Sequence, residues 1–541
     1  MPLCRSVCVA VLLCAWGAHA RAQEAVLPVS GIGTSIPDVY GDASGVSVAT
    51  TVTSIAYTLP VRVRRDHVEL LEVTGSIKGV GWGGEWQMPG GPNPIVDVTS
   101  HYSYDIPFVL RWHPAFDGTL IYYSHGRASL SLLLLAESVI GEANEGRRNE
   151  REGDFIASAM LEGSRRHAFF AANLSGLKKD GSFSMRALDG PFAGEPLAGT
   201  VDAVTARDLA RAGKHLMEVL TGKPVKTTVG MGHSAGALIA QFLDSGQSMI
   251  LDEDRFGTRL LTGGDFNTPY EPASGRIFDA FVALAPSEVT VNRAQPLAAP
   301  MLMIAGQAEF AGVNSLLYAR RVARAGGDLG LLRVYQVRNL PHNFAEIVES
   351  TPNLNQMFAD LFGAAPHADG DRMKPVIAAV LDRAVDWAAR GTPAPASRIE
   401  GKGVDLDGDG LTDALAFPYA NGGFTTAVPA VDDSTLDRYD GFTADTAFDI
   451  VTSRYLEPLA GMVYEPAALS LPFETCRLGG FVISEAFSDS TFVPFTNMAE
   501  RWKSFGDYRA CLASQLTALS QTGLYDVAYA PDAARAKALI K

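Results

Sequence analysis

An α/β fold, with a mostly parallel central sheet flanked by helices, is predicted from three observations. From residue 119 onward, short apolar runs alternate with segments of helical spacing, and such alternation calls for parallel strands joined by helical crossovers. Ahead of it, residues 23–118 are rich in Val, Thr and Ile, which marks a β-rich N-terminal extension. Third, Gly232-His-Ser-Ala-Gly236 sits between an apolar strand and an apolar helix, as a strand-turn-helix unit.

In the front part, 46–59, 68–73 and 106–112 read as strands. Gly79-Val-Gly-Trp82-Gly-Gly-Glu-Trp86, followed by Pro89-Gly-Gly-Pro92, reads as a long loop carrying two tryptophans, either substrate contacts or packing anchors. In the second part, 119–124, 168–172, 225–231, 278–284, 301–305 and 332–337 read as strands, and 206–220, 235–243, 315–325 and 373–389 as helices. The charged stretch from Glu142 to Asp154 reads as a solvated excursion. Gly391-Thr-Pro-Ala-Pro-Ala-Ser397 has linker composition, and a helix is expected over 508–522. The expected organisation is a signal peptide over 1–22, the β-rich part over 23–118 and the catalytic core over 119–391. A C-terminal region over 392–541 is expected to pack on that core.

With 47% hydrophobic and 19% charged residues the chain has a globular balance, which excludes disorder as its main state. A formal charge of −15 argues against nucleic acid, because phosphate binding needs a basic face. Arg5, the apolar run from Val7 to Trp16 and the small-x-small sites ending at Ala20 and Ala22 form an export signal, with cleavage expected after Ala22. A lipid anchor at Cys14 is the weaker reading, because Leu13 is larger than such sites use. No later apolar stretch reaches a membrane-spanning length, so no transmembrane segment is expected and the mature chain is secreted or periplasmic. Of five cysteines, Cys4, Cys8 and Cys14 leave with the signal, and Cys476 and Cys511 are expected to form one disulfide.

The chemistry centres on Gly232-His-Ser234-Ala235-Gly236, which fits G-x-S-x-G. Two glycines allow a tight turn that holds the serine hydroxyl above the sheet at a helix N-terminus. A serine nucleophile needs a base, and the base an orienting carboxylate. Only His342 and His367 follow Ser234. His342 comes directly after the strand over 332–337, whereas His367 follows a small-residue loop, so His342 is the expected base. Glu309, just past the strand over 301–305, is the expected acid, with Asp265 the runner-up.

Tyr122-Tyr123-Ser124-His125-Gly126-Arg127 closes an early strand. With this His-Gly loop, the Gly-His-Ser-Ala-Gly elbow and the order Ser234, Glu309, His342, the chain resembles the α/β-hydrolase superfamily over about 45–395. The resemblance implies an oxyanion hole from the N–H groups of Gly126 or Arg127 and of Ala235. It departs from the family at Glu309, where Asp is commoner. The region around the closing helix with Trp387 and the linker after it is similar to exported bacterial serine esterases of the tannase and feruloyl-esterase-like kind. In those the chain after the linker folds back on the catalytic body.

Asp405-Leu-Asp407-Gly-Asp409-Gly410-Leu411-Thr-Asp413 starts like a calcium loop, with alternating aspartates and glycine at position 6. Position 12 is Ala416 rather than Glu, so the EF-hand pattern fails, and Asp413 stands at position 9 instead, similar to the loops of integrin-type and thrombospondin-type modules. Asp405, Asp407, Asp409, the carbonyl of Leu411 and Asp413 are the expected ligands of a structural Ca²⁺. No organic cofactor is signalled: Gly79-Val-Gly81-Trp-Gly-Gly84 fits a dinucleotide pattern, but no helix pattern follows it.

The expected function is hydrolysis of carboxylic esters through an acyl-enzyme, with size favouring a bulky aromatic or polymeric substrate. A serine peptidase on the same triad and a calcium-dependent binding protein on an inactive scaffold are the alternatives. Asn173-Leu-Ser175 is a glycosylation sequon, meaningful only in a eukaryotic secretory host.

Overall fold

The computed structural model describes residues 24–33, 35–36, 48–65, 68–87, 95–124, 165–172, 182–201, 203–233, 276–286, 297–306, 315, 318–319, 322, 327–337, 373–399, 402–404, 414–416, 451–452, 462–465, 467–471, 476, 479–484, 489–494 and 503–529. The expected signal peptide, the Glu142–Asp154 stretch, the 235–243 helix and Asn173 lie outside them.

The front half is antiparallel. Its strands are β1 (Glu24–Pro28), β2 (Ser35–Ile36), β3 (Val48–Ala49), β4 (Thr51–Thr58), β5 (Val61–Arg65), β6 (Val68–Gln87) and β7 (Ile95–Trp112). The second half carries β8 (Thr119–Ser124), β9 (Ala168–Ala172), β10 (Met185–Ala187), β11 (Pro196–Val201), α1 (Ala203–Thr221), β12 (Thr227–His233), β13 (Ala280–Leu284), β14 (Met301–Gly306), β15 (Leu332–Val337) and α2 (Lys374–Arg390). Beyond them come β16 (Ser397–Arg398), β17 (Lys402–Val404), β18 (Ala414–Ala416), β19 (Val451–Thr452), β20 (Tyr464–Glu465), β21 (Gly479–Ser484), β22 (Asp489–Pro494) and α3 (Phe505–Gln521).

One sheet of 15 described strands runs through both halves in the order β1-β4-β6-β11-β10-β7-β9-β8-β12-β13-β14-β15-β16-β20, with β5 paired to β6. From β9 to β20 its neighbours are parallel. Its two faces are covered differently. Helix α1 lays Leu209, Ala212 and Leu216, spaced three and four residues apart, on one face against Phe108, Tyr122 and Phe170. Helix α2 lays Val376, Ile377, Val380, Leu381 and Ala384 on the other against Val229, Met231 and Val282. Strand β12 is buried along its whole length, as a central strand covered on both faces must be.

The glycine-rich stretch from Gly79 to Trp86 is not a loop. It is the second half of β6, paired to β7 from Leu71↔Trp112 to Gln87↔Ile95 with one irregularity between Trp82 and Gly84. The glycines serve close approach rather than chain freedom. A Cβ on Gly81 would stand 2.6 Å from the Tyr102 ring and 2.7 Å from Thr205 Oγ1, and one on Gly79 would strike the Thr51 carbonyl. Trp82 is 1% exposed, and its N–H donates to Thr205 Oγ1 at 3.1 Å, which ties the first turn of α1 to the hairpin. This tryptophan is a packing anchor.

The proline-rich stretch after α2 is pinned rather than free. Gly391 ends the helix with φ +67°, the left-handed turn a glycine makes at no steric cost. The Pro395 carbonyl then accepts from Tyr335 Oη at 2.8 Å, and Ser397 Oγ accepts from the Val334 N–H at 3.0 Å. The buried Arg333 guanidinium donates to the Ala394 carbonyl and lies 4.7 Å from the centre of the Trp387 ring. Past this clamp, β16 and β20 extend the main sheet beside β15. Leu519 of α3, with Leu524 and Tyr525, joins the apolar cluster under α2. Arg165 binds both Asp382 of α2 and Asp526, so charge and apolar contact hold the C-terminal segment to the same helix. Cys476 and Cys511 are joined with Cα atoms 5.8 Å apart, the cross-link expected from the sequence.

Candidate active site

Strand β8 has β9 on one side and β12 on the other, so the chain order of the parallel strands reverses there. In open α/β sheets the crevice at such a reversal, outside the carboxyl ends of the strands, is where ligands bind. The ends are level: Gly232 pairs with Ser124, His233 with Leu284, Leu284 with Ile304, and Gly306 with Val337. One edge of the sheet therefore presents the ends of β8, β12, β13, β14 and β15 side by side.

Each residue expected to take part in the chemistry follows one of these ends in the chain. Ser234 is the next residue after β12, and Gly126 and Arg127 follow β8 by two and three. Glu309 follows β14 by three and His342 follows β15 by five. Neighbouring strands lie about 4.8 Å apart, so β14 and β15 are roughly 10 and 14 Å from β12. Three and five residues reach about 10 and 17 Å, enough to return over the nucleophile. Asp265 lies in the chain between β12 and β13 and follows no described strand end closely, and His367 is 30 residues past β15. The side chains of Ser234, Ala235, Gly126, Arg127, Glu309, His342, Asp265 and His367 lie outside the described residues.

The floor beneath them is apolar. Strands β8, β12, β13 and β14 carry no Asp, Glu, Lys or Arg. In a floor of low polarity, attraction between an imidazolium and a carboxylate is stronger than in water. His233 is 4% exposed at the end of β12. Tyr122 packs against Phe170 and Phe278, and burial raises its hydroxyl well above the usual tyrosine range, so it stays neutral. Its Oη has no hydrogen-bond partner among the described residues.

Ala285, directly after β13, is fully buried and has φ +44°, and it is the one non-glycine at positive φ among the described residues. Ala285-Pro286 as a sequence carries no sign of that backbone. The Asp405–Asp413 run lies outside the described residues, but its flanks do not: β17 and β18 pair antiparallel, with Val404 opposite Ala414. The two ends of the acidic run are thus held together.

With this geometry in place, a family model described as an alpha/beta hydrolase domain matches residues 199–441. Over those residues, just under half of the chain, the sequence is similar to an alpha/beta hydrolase domain. Solved structures with partial overlap include brefeldin A esterase, a bacterial homologue of human hormone-sensitive lipase. It is 12% identical, with 57% of this chain and 79% of that one covered at a TM-score of 0.28. Carboxyl esterase 2 from the mycorrhizal fungus Tuber melanosporum is 11% identical, with 52% and 84% covered at a TM-score of 0.28. A thermostable esterase from Pseudomonas putida is 11% identical, with 47% and 74% covered at 0.27. No curated protein matches the chain.

Proposed function

We propose that this α/β-hydrolase protein is a carboxylic ester hydrolase that works through an acyl-enzyme on Ser234. The observation that carries the reading is the shared edge of strand ends, where β8, β12, β14 and β15 are each followed within five residues by a group the chemistry needs. Ser234 Oγ attacks the ester carbonyl as His342 takes its proton. The N–H groups of Ala235 and of Gly126 or Arg127 hold the developing oxyanion. The tetrahedral intermediate collapses, the C–O bond breaks, and His342 returns the proton to the leaving alkoxide, releasing an alcohol. Water, deprotonated by His342, attacks the acyl-serine, and the carboxylic acid leaves as the proton returns to Ser234. Glu309 holds the imidazole in the tautomer this needs and offsets its charge. The size of the chain favours a bulky aromatic or polymeric ester.

Fluorophosphonate labelling of the purified protein, with the modified residue found by mass spectrometry, tests the reading. A label on Ser234 is expected. No label, in protein shown to be folded, removes the triad and leaves a binding function on this scaffold.

Two further elements belong to the proposal. The chain is exported, a reading that the Cys476–Cys511 cross-link supports because disulfides persist in oxidising compartments. A structural Ca²⁺ is held by Asp405, Asp407, Asp409, the Leu411 carbonyl and Asp413, all hard oxygen donors on a run whose ends are paired. Among the described residues no helix is long and apolar enough to cross a membrane. Chelation is expected to lower the thermal midpoint and added calcium to restore it, because an ion at 100 times its Kd stabilises by about 2.7 kcal/mol. A midpoint that ignores both chelator and calcium removes the metal from the reading.

A further inference from the structure

We propose that the Cys476–Cys511 bond is a redox latch for the first half of α3: closed, it holds that half on the body, and opened by an external thiol it frees that half alone. The proposal goes beyond the hydrolase reading and does not depend on the triad.

The two halves of α3 are held in different ways. The second half packs on the main body. Leu519, with Leu524 and Tyr525 just past the helix, is buried in the apolar cluster that α2 shares with β12 and β13. The Gly523 carbonyl accepts from Arg383 Nε at 3.0 Å, and the Asp526 N–H donates to the Pro375 carbonyl at 3.0 Å. Arg165 pairs with Asp526. The first half is held by less. Gly506, Asp507, Arg509, Ala510, Ala513 and Ser514 are exposed, and the covered residues among them are Tyr508, Cys511 and Leu512. These three pack with Cys476 in a small cluster of their own, apart from the two that hold the sheet.

Cys476 is tied to the body from its own side. Five residues before it, Leu471 is buried in the cluster under α2, and the Leu469 N–H donates to the Gln336 carbonyl of β15 at 2.7 Å. The bond therefore joins two segments that are each anchored without it, one at Leu471 and the other at Leu519. What it adds is the placing of the first turns of α3.

Thiol–disulfide exchange opens it. Cys476 is fully buried and Cys511 only partly covered, so an incoming thiolate reaches the Cys511 sulfur first. A mixed disulfide forms there, and Cys476 leaves as a thiolate. A second external thiolate attacks the external sulfur of that mixed disulfide and releases Cys511 as a thiolate. Two external thiols are oxidised to a disulfide, the protein bond is reduced by two electrons, and the two cysteine thiolates take up the two protons. An external disulfide closes the latch by the same steps in reverse. With the bond open, the freed run is well under the roughly 12–15 residues that a helix needs to hold in water by itself.

Hydrogen exchange read by mass spectrometry on the folded protein, with and without excess dithiothreitol, tests this, and alkylation at Cys476 and Cys511 reports the state of the bond. Reduction is expected to raise exchange over residues 506–514 by about 10-fold or more, and to leave 516–525 and α2 within about 2-fold. The double variant Cys476→Ala/Cys511→Ala, without reductant, should exchange like the reduced parent, which separates loss of the bond from any other effect of the thiol. Unchanged exchange over 506–514 in the reduced parent would show that packing alone holds the helix, and overturns the latch. A rise that spreads to α2 overturns it as well, because the bond would then be holding the whole body. So does a bond that stays closed in the folded protein under excess thiol.

Discussion

Replacing Ser234 with alanine is expected to lower ester turnover on the order of 10⁶-fold, the loss found when the nucleophile of a working triad is removed. The residual rate, roughly 10³–10⁴-fold over water, is the share carried by substrate binding and the oxyanion donors. The thermal midpoint should not change, because the two described apolar clusters that hold the sheet are built from other residues. His342→Gln should cost as much, and the double variant no more than either alone, because groups that act as a unit lose their value together. Glu309→Gln should cost less, about 10⁴-fold, since the imidazole loses its orientation but remains a base. The same series separates the candidates that composition left open: full activity in His367→Gln and Asp265→Asn is expected. A His342→Gln protein that keeps its turnover would move the base elsewhere and dismantle the proposed order of residues.

The parallel half of the fold was legible because its signal is local. Buried parallel strands are short runs of apolar residues, and runs such as Thr119–Ser124 and Leu332–Val337 occupy the same positions in the structure as in the sequence reading. Helices α1 and α2 announced themselves by apolar residues three and four apart. The front half was less legible because its rules are not local. The glycines of β6 look like loop residues, and what gives them a reason to lie in a sheet is distant in the chain: the Tyr102 ring and Thr205 at Gly81, and the Thr51 carbonyl at Gly79. The linker composition of 391–397 was a similar case: its prolines suit an exposed tether, yet Tyr335 and Val334 fasten it to β15. In the site, residue types and spacing from strand ends were readable, since both follow from chain order. The left-handed backbone at Ala285 was not, because φ is set by what surrounds a residue, and Ala-Pro by itself is compatible with an extended chain.

Trp82 tests that reading of the front half. Trp82→Ala is expected to cost about 3–5 kcal/mol, measured as a shift in the denaturant midpoint at unchanged slope. The side chain is 1% exposed and among the largest fully buried ones, so its removal leaves a cavity in a place where the surroundings are fixed. They are fixed by backbone on one side and helix on the other. The Trp82 N–H and the Tyr102 hydroxyl both donate to Thr205 Oγ1, at 3.1 and 2.9 Å, and Thr205 belongs to the first turn of α1. The collapse that would soften the loss must therefore move α1, and α1 is held along its length by Leu209, Leu216 and Met217 in the larger cluster. Trp82→Phe keeps most of the buried area and should cost less than the alanine variant. Its KM for any ester that the protein turns over should match the parent, since the ring lies in the interior and not in the crevice at the strand ends. A Trp82→Phe protein with parental stability and a raised KM would return this tryptophan to the substrate. It would also mean that the β6–β7 hairpin, not only the edge of the parallel strands, forms part of the site.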